Sequence, residues 1–362
     1  MLSSLGIIFS VIALLTSLFL IYFSFVEIKI LDNKISKKIY KFSLTQLIFS
    51  ILSFLILLIG YVFSDFSMIN VYENSHTSKP LFYKISGTWG NHEGSLLLWI
   101  NILVIFSFLF LILNKNKNKN FKIFTLIFQN LLILIFFVFL LTNSNPFSPV
   151  FPIPNQGMGL NPILQDPALA IHPPLLYVGF VGSSIYFSAA LAALVSKVES
   201  KSFATTIKPW VSISWFFQTV GILAGSIWAY YELGWGGYWF WDPVENSSLM
   251  PWFLMTALLH SVLVLERRMG LYSWVIILSI LTFTMSVVGT FLVRSGILNS
   301  VHTFANDPSR GLFILTFLVL MVFSSIFIFF KYAPSEKKNY RIFSKEFFIL
   351  INNWFMIFFL LV

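Results

Sequence analysis

The sequence predicts an all-α polytopic integral membrane protein with about ten transmembrane helices. Its 362 residues are 57% hydrophobic and only 10% charged, which is too apolar for a soluble domain. A spanning helix needs about 20 mostly apolar residues. The chain has nine complete apolar runs of this kind and the start of a tenth. They are residues 5–26, 43–64, 94–113, 121–142, 173–195, 209–231, 247–265, 272–293, 311–330 and 347 onward.

Lysine and arginine are concentrated in alternate loops. Of the 23 basic residues, all but Lys79, Lys84, Arg294 and Arg310 follow the first, third, fifth, seventh or ninth run. By the positive-inside rule these loops face the cytoplasm or the mitochondrial matrix, and the N-terminus lies outside. We therefore expect a bacterial inner-membrane protein, or alternatively a mitochondrial inner-membrane protein. Nucleic-acid binding is not expected, because the basic residues are spread over five short loops.

The first two apolar runs carry no charge and are interpreted as scaffold. The outer loop after them, residues 65–93, ends with His92 and Glu93 next to the expected membrane boundary. A metal site would need more ligands than this loop supplies. The favoured interpretation is structural, for example a cap on the following helix, and a direct chemical role is the alternative.

A proline-rich outer loop, Asn143 to Ile171, separates the fourth and fifth runs. Proline favours extended and turn conformations, so we expect an ordered wall without regular secondary structure. His172, Pro173 and Pro174 follow. Proline is tolerated in the first turn of a helix, where its missing N–H costs nothing. His172 is therefore expected just before the fifth span, at its outer mouth.

A tryptophan-rich loop, residues 234–246, lies on the outer side between the sixth and seventh runs. Five of its thirteen residues are aromatic, Gly236 and Gly237 disfavour a helix, and Pro243 ends any regular element that reaches it. Flat aromatic faces suit a large planar ligand, and indole N–H groups can donate hydrogen bonds at the wet edge. The loop predicts a ligand platform, and an interfacial aromatic belt is the alternative.

Three histidines are candidate ligands. His172 and His302 share the outer side with the tryptophan-rich loop, and two imidazoles beside an aromatic surface can bind both axial positions of a haem iron. Zinc would need further ligands, and the sequence has no cysteine. His260 lies inside the seventh run, where an ionisable side chain is functional by default, and a neutral histidine bonded to another helix is the alternative. Asp242 and Arg294 can contact haem propionates or a partner.

The sequence resembles the haem-handling proteins of cytochrome c maturation, and most closely the CcmF and NrfE family. The run from Trp235 to Asn246, WGGYWFWDPVEN, resembles their tryptophan-rich WWD signature. Tyr238 departs from it, since it replaces a tryptophan that is usual there, although it keeps a flat aromatic face. Three further segments match in order, namely Trp89 to Trp99, the His172-Pro-Pro sequence, and residues 291–311.

The resemblance implies roles for individual residues. His172 and His302 match two external histidines that ligate haem held over the signature, which includes Trp235, Trp239 and Trp241. These three tryptophans are therefore expected to bind haem. His260 matches one of two membrane histidines that ligate a second haem, a haem b.

The resemblance also implies a division of the chain. Residues 1–88 would be N-terminal transmembrane helices, residues 89–310 the haem-handling core, and residues 311–362 the start of a C-terminal region. The family is usually much longer, and this sequence ends within a hydrophobic run. We expect either a fragment or one chain of a split system. No histidine follows His302, so the second ligand of the membrane haem is expected on another segment.

The expected function is that of a subunit of the cytochrome c haem lyase. By the resemblance it receives haem from the chaperone CcmE and positions it for attachment to apocytochrome c, together with CcmH- and CcmI-type subunits. Whether the chain is itself an enzyme stays open, and the activity would be of the holocytochrome c synthase type within a complex. The alternatives are a haem transporter or exporter of the inner membrane, and a haem reductase that uses quinol as a partner.

Overall fold

The computed structural model describes residues 1–30, 32, 34–114, 117–234, 237–295, 297, 308–333 and 343–358. The described residues are mostly α-helical, and they contain no β-strand longer than one isolated bridge. The helices are α1 (Leu2–Ile28), α2 (Lys37–Phe63), α3 (Ile69–Asn74), α4 (Leu81–Gly87), α5 (His92–Leu113), α6 (Lys119–Asn143), α7 (Pro167–Ser196), α8 (Ser200–Glu232), α9 (Pro243–Arg268), α10 (Tyr272–Ser295), α11 (Pro308–Tyr332) and α12 (Lys345–Phe358).

Nine helices in the described part of the chain are long and apolar enough to cross a membrane, namely α1, α2 and α5 to α11. Each corresponds to one of the nine complete apolar runs, so the predicted all-helical, multi-pass architecture is confirmed. The tenth run corresponds to α12, which covers 14 described residues and packs on α9 through a hydrogen bond from Asn353 to the Ser261 hydroxyl (2.7 Å).

The N-terminus and alternate loops meet at one end of the bundle. The Ser3 hydroxyl donates to the Phe147 carbonyl (2.7 Å), which joins the start of α1 to the proline-rich loop. The Tyr231 hydroxyl donates to Asp166 (2.7 Å), which joins the end of α8 to the start of α7. We call this the outer end, after the side that the charge distribution predicts. Its placement relative to a real membrane stays a prediction.

Basic residues tie the opposite end together. Buried Lys119 forms an ion pair with Glu27 (3.3 Å) and donates to the Asp32 carbonyl (2.6 Å), which joins α6 to α1 and the segment after it. Lys208 pairs with Glu266 (2.7 Å) between α8 and α9.

Buried amides and hydroxyls connect the helices within the bundle. The Gln46 amide donates to the Ser17 hydroxyl (2.7 Å) and to Asn130 (2.9 Å), and the Gln129 amide donates to the Ser184 hydroxyl (3.0 Å). In an apolar environment such bonds stabilise helix association, because an unpaired polar group there is costly.

Helices α7 and α8 approach closely because glycines lie at their contact. A Cβ added at Gly179 would lie 2.6 Å from the backbone nitrogen of Gln218, and one added at Gly221 would lie 2.8 Å from that of Leu176. Small residues allow backbones to come together in this way. The close contact brings His172 on α7 against α8.

The predicted start of the fifth span was wrong. Helix α7 begins at Pro167, and Asp166 is its N-cap, with a carboxylate oxygen that accepts from the Ala168 and Leu169 amides (2.8 and 3.0 Å). An Asp N-cap followed by proline is a strong helix start. The helix then continues through Pro173 and Pro174, so His172 lies inside α7, in its second turn.

Candidate functional site

A cavity of about 690 Å³ opens at the outer end, between α5, α7, α8, α9 and α10. Its volume lies within the range of roughly 300–1,000 Å³ that is typical of small-molecule sites. Its aromatic lining includes Trp89, Trp99, Tyr177, Phe180, Trp228 and Trp239. Its ionisable lining residues are Glu73, His92, Glu93, His172, Tyr177, Glu245, Arg294 and Arg310. The proline-rich loop forms part of the cavity wall through Leu160, Asn161 and Leu164. The expected absence of regular secondary structure was wrong, because residues 162–164 form a 3-10 helix and residues 167–171 belong to α7.

His172 is oriented by helix α8. Its Nδ1 lies 2.8 Å from the Gly221 carbonyl oxygen. A carbonyl only accepts hydrogen bonds, so Nδ1 carries a proton, and in the neutral imidazole the lone pair is on Nε2. A Cβ added at Gly225 would lie 2.6 Å from Cε1 of the imidazole, so the ring fits against α8 only because residue 225 is glycine. This arrangement suits an Nε2 metal ligand, whose other nitrogen commonly donates to a carbonyl.

The two prolines after His172 change the hydrogen bonding of α7. Pro174 has no N–H, so it cannot donate to the carbonyl of Ala170 four residues earlier. The Trp89 indole N–H donates to that carbonyl instead (3.0 Å). Trp89 therefore joins the segment before α5 to the turn of α7 that carries His172.

The tryptophan-rich loop contributes only in part to the cavity. Trp239 lines it, whereas Trp241 is 71% exposed and packs edge-on against Trp239, with ring centroids 6.3 Å apart. Tyr238 stacks on Tyr230 of α8 at 4.8 Å. Trp235 lies outside the described residues. Among the aromatic residues of the loop that the structure describes, Trp239 is the one that lines the cavity, and the role of the whole loop as a ligand platform stays a prediction.

Two further tryptophans form deeper walls. Trp99 of α5 and Trp228 of α8 are 1% and 2% exposed, and both line the cavity. Sequence reasoning missed Trp228, and the only signal was its position one turn after Gly225 on α8. The buried indole nitrogens of Trp99 and Trp239 have no hydrogen-bond partner within the described part of the chain.

Asp242 is the N-cap of α9. Its carboxylate accepts from the Val244 amide (2.9 Å), and the Glu245 carboxylate accepts from the backbone amides of Asp242 (3.2 Å) and Phe240 (3.0 Å). This capping box fixes the tryptophan-rich loop to α9. Asp242 is thus engaged in holding the loop, while Glu245 also lines the cavity.

Arg294 is buried in the wall of the cavity. It is 3% exposed and donates to the His92 carbonyl and to the Ser95 hydroxyl, both at 2.8 Å. His92 is the first residue of α5, and the cap of that helix is Asn91, which accepts from the Gly94 amide (2.8 Å). The proposed capping role of His92 and Glu93 is therefore performed by their neighbour.

Glu93 instead takes part in a charged cluster beside the cavity. It pairs with Arg310 (2.7 Å) and accepts from the Asn70 amide (3.0 Å). Nearby Glu73, at the end of α3, is largely exposed. Partial burial and then the charge of Glu93 raise the pKa of the Glu73 carboxyl, and Arg310 opposes that shift.

His260 lies on α9 away from the cavity, on an exposed face of the described chain. Its Nδ1 is 2.8 Å from the Thr256 carbonyl of the same helix, so Nε2 again carries the lone pair. His302 lies outside the described residues, so the pairing of His172 with His302 stays a prediction. Within the described part of the chain, no cluster of three or more metal-ligating side chains occurs.

Comparison with known proteins identifies relatives over most of the chain. Residues 89–298, more than half of the sequence, match the family model described as cytochrome C assembly protein. The chain is 50% identical over 313 residues to the cytochrome c-type biogenesis protein CycK of Bradyrhizobium diazoefficiens, which covers 86% of this chain and 47% of the relative. It is 44% identical over 304 residues to the cytochrome c-type biogenesis protein CcmF of Escherichia coli, over 83% of this chain and 47% of the relative.

The structure is similar to a solved one, that of the cytochrome c heme lyase CcmF. The TM-score is 0.82 with 26% sequence identity, and the match covers 100% of this chain and 55% of the other. The chain thus spans about half the length of the relatives that it matches.

Proposed function

Because the chain belongs to the cytochrome c assembly protein family, we propose that it forms the haem-handling membrane part of a cytochrome c haem lyase. It binds haem on the outer face of a bacterial inner membrane and positions it for attachment to apocytochrome c. A haem chaperone of the CcmE type delivers the haem, and CcmH- and CcmI-type subunits bring the apocytochrome. Haem here is the substrate that the chain holds.

The observation that carries this proposal is the orientation of His172 in an aromatic cavity. Its Nδ1 is committed to the Gly221 carbonyl, so the nitrogen with the lone pair is Nε2. Trp89, Trp228 and Trp239 supply flat faces around the same space. This donor set suits a planar macrocycle with a metal that takes an axial nitrogen ligand. His302 would be the second axial ligand.

The polar lining also suits haem. Arg294 and Arg310 place two guanidinium groups at the wall, and a propionate carboxylate is a natural partner for arginine. The buried indole N–H groups of Trp99 and Trp239 are donors that an acceptor on the ligand would satisfy. Asp242 acts indirectly, because its capping box holds the inward-facing Trp239 in place.

The chemistry then divides between haem and this chain. Bound haem supplies the vinyl groups, and the two thiols come from the CXXCH motif of the apocytochrome, to which the haem becomes attached. The residues of the chain orient the macrocycle, exclude water from its faces and present one edge to the incoming peptide. Positioning of this kind accelerates a reaction by fixing the geometry of the two reactants.

A resident haem b in the membrane fits the described residues only in part. His260 offers one oriented imidazole on the exposed face of α9, and the second axial ligand would come from another segment or chain. We therefore propose His260 as one axial ligand of that haem. A quinol partner depends on the same incomplete site.

The test compares His172→Ala with His76→Ala. His76 is a second outer-face histidine that binds Ser78 through Nδ1 (2.7 Å) and does not line the cavity, which makes it a matched control. In membranes with the complete maturation system, His172→Ala should abolish covalent haem on a reporter cytochrome c, and His76→Ala should not. Added imidazole should partly restore the His172→Ala variant, because it fits the space and binds iron.

Trp239→Ala removes an aromatic surface beside the haem, whereas His172→Ala removes a bond to the haem iron. Aromatic contacts of this kind contribute about 1 kcal/mol beyond their buried area, so haem retention should weaken less than with His172→Ala. Imidazole should not rescue it. Normal maturation after replacement of both His172 and His302 would contradict the proposed function.

A further inference from the structure

Trp89 lies against the turn of α7 that carries His172, and its indole N–H donates to a carbonyl that a proline has left without a helical donor. We infer that Trp89 is a positioning residue for His172, and that Pro174 is the reason why it is needed. The inference deepens the proposed function, because it takes His172 as the ligand of the bound haem.

The first step is the hydrogen bonding of α7. In an α-helix the amide of residue i donates to the carbonyl of residue i−4, and proline removes that donor. Pro173 removes the donor to the Leu169 carbonyl, and Pro174 removes the donor to the Ala170 carbonyl. Ala170 is 4% exposed, so water is poorly placed to replace the missing bond. An unsatisfied buried carbonyl is costly.

The second step is the replacement donor. The Trp89 indole N–H lies 3.0 Å from the Ala170 carbonyl oxygen. Trp89 itself sits in a fixed segment, because its amide donates to the Ser86 carbonyl (3.2 Å) and the Asn91 side chain donates to the Gly87 carbonyl (2.8 Å). The segment between α4 and α5, residues 88–91, is therefore held in a fixed position, and the indole links it to α7. We call this segment the Trp89 mount.

The third step is the effect on His172, two residues after Ala170. The imidazole is already guided by Gly221 and Gly225 of α8, so its Nε2 direction depends on how the second turn of α7 is placed between α8 and the Trp89 mount. Without the indole hydrogen bond, the Ala170 carbonyl is stabilised when it turns toward another hydrogen-bond donor. That motion rotates His172. Haem then binds only to the fraction of molecules in which α7 keeps its native direction.

The experiment uses Trp89→Phe, which keeps an aromatic ring and removes the N–H. We expect the apparent dissociation constant for haemin to rise about tenfold, as it does when the competent fraction falls to about a tenth. The decisive variant is Trp89→Phe combined with Pro174→Ala, because the new amide at residue 174 can donate to the Ala170 carbonyl within the helix. This double variant should bind haemin close to the wild-type level.

The control is Trp89→Phe combined with Pro173→Ala, with Pro173→Ala and Pro174→Ala each measured alone because Pro173 itself lines the cavity. The amide restored at residue 173 faces the Leu169 carbonyl, so this pair should stay as weak as Trp89→Phe alone. The readouts are haemin titration of the full protein in its membrane complex, the absorption spectrum of the bound haem, and the thermal unfolding midpoint without haemin.

Rescue by Pro174→Ala but not by Pro173→Ala supports the inference. Equal behaviour of the two double variants, or unchanged haemin affinity in Trp89→Phe, would overturn it. His172→Ala is measured in parallel. If His172→Ala abolishes binding while Trp89→Phe has no effect, the positioning role fails and the proposed function stands. If His172→Ala binds haemin normally, the proposed function fails first.

Discussion

Gly225→Ala tests whether the contacts of His172 with Gly221 and Gly225 of α8 govern haem binding. The added methyl group would lie 2.6 Å from Cε1 and 2.8 Å from Nδ1 of the imidazole. Ordinary carbon contacts are about 3.5–4.0 Å, so the ring must move by close to an ångström. That movement stretches the bond between Nδ1 and the Gly221 carbonyl, which is now 2.8 Å long.

The expected size of the effect follows from these distances. Overpacking of this kind costs about 1–3 kcal/mol. Loss of the bond that orients a ligand histidine typically weakens metal affinity about 10–100-fold. We therefore expect haemin affinity to fall within that range, with loss of the low-spin absorption spectrum. Gly237→Ala is the control, because among the described residues its Cβ would meet the Trp239 carbonyl oxygen alone, at 4.0 Å.

The assay is haemin titration of the membrane-embedded protein, followed by absorbance. A double variant, Gly225→Ala with His172→Ala, makes the result specific. If Gly225 acts only through the imidazole, adding Gly225→Ala to His172→Ala should change affinity little further. Wild-type affinity in a folded Gly225→Ala protein would refute the idea that α8 sets the direction of His172.

Two further predictions concern charge. The raised pKa of Glu73 means that the folded state binds its proton more tightly than the unfolded state, so the thermal unfolding midpoint should fall as pH rises from the ordinary carboxyl pKa through the raised one. Glu73→Gln should remove that part of the pH dependence, and an unchanged pH profile would contradict the assignment. For topology, a cysteine at Lys117 should be protected from an impermeant thiol reagent and one at Asn155 should be labelled, whereas the reverse would place the cavity on the other side.

The helices were predictable because each helix that crosses a membrane needs about 20 mostly apolar residues. Every complete apolar run of spanning length corresponds to one helix, and the alternation of basic loops matches the grouping of loops at the two ends of the bundle. The start of α7 was missed although residues 167–171 are already apolar, because His172 interrupts the apolar sequence there. The local signal, Asp166 followed by Pro167, was present in the sequence, but the adjacent Pro173 and Pro174 suggested a later start.

The cavity was less predictable, since its walls come from residues that are distant in sequence. Trp99, Trp228 and Trp239 belong to different segments, and no periodicity shows that they face one another. Gly221 and Gly225 are spaced for one face of α8, but only the fold shows that His172 lies opposite. The capping role of Asp242 was not predicted, because a capping box looks the same in sequence as an exposed acidic pair, and its contact with haem stays a prediction.

The two described candidate ligands, His172 and His260, are oriented by the same chemistry but depend on different parts of the fold. Each presents Nδ1 to a backbone carbonyl, which leaves the lone pair on Nε2. The carbonyl for His260 belongs to Thr256 of its own helix, so its direction survives changes in helix packing. The carbonyl for His172 belongs to Gly221 of the neighbouring helix, so its direction depends on the contact between α7 and α8. Variants that separate these helices should therefore disable the outer site and spare the orientation of His260.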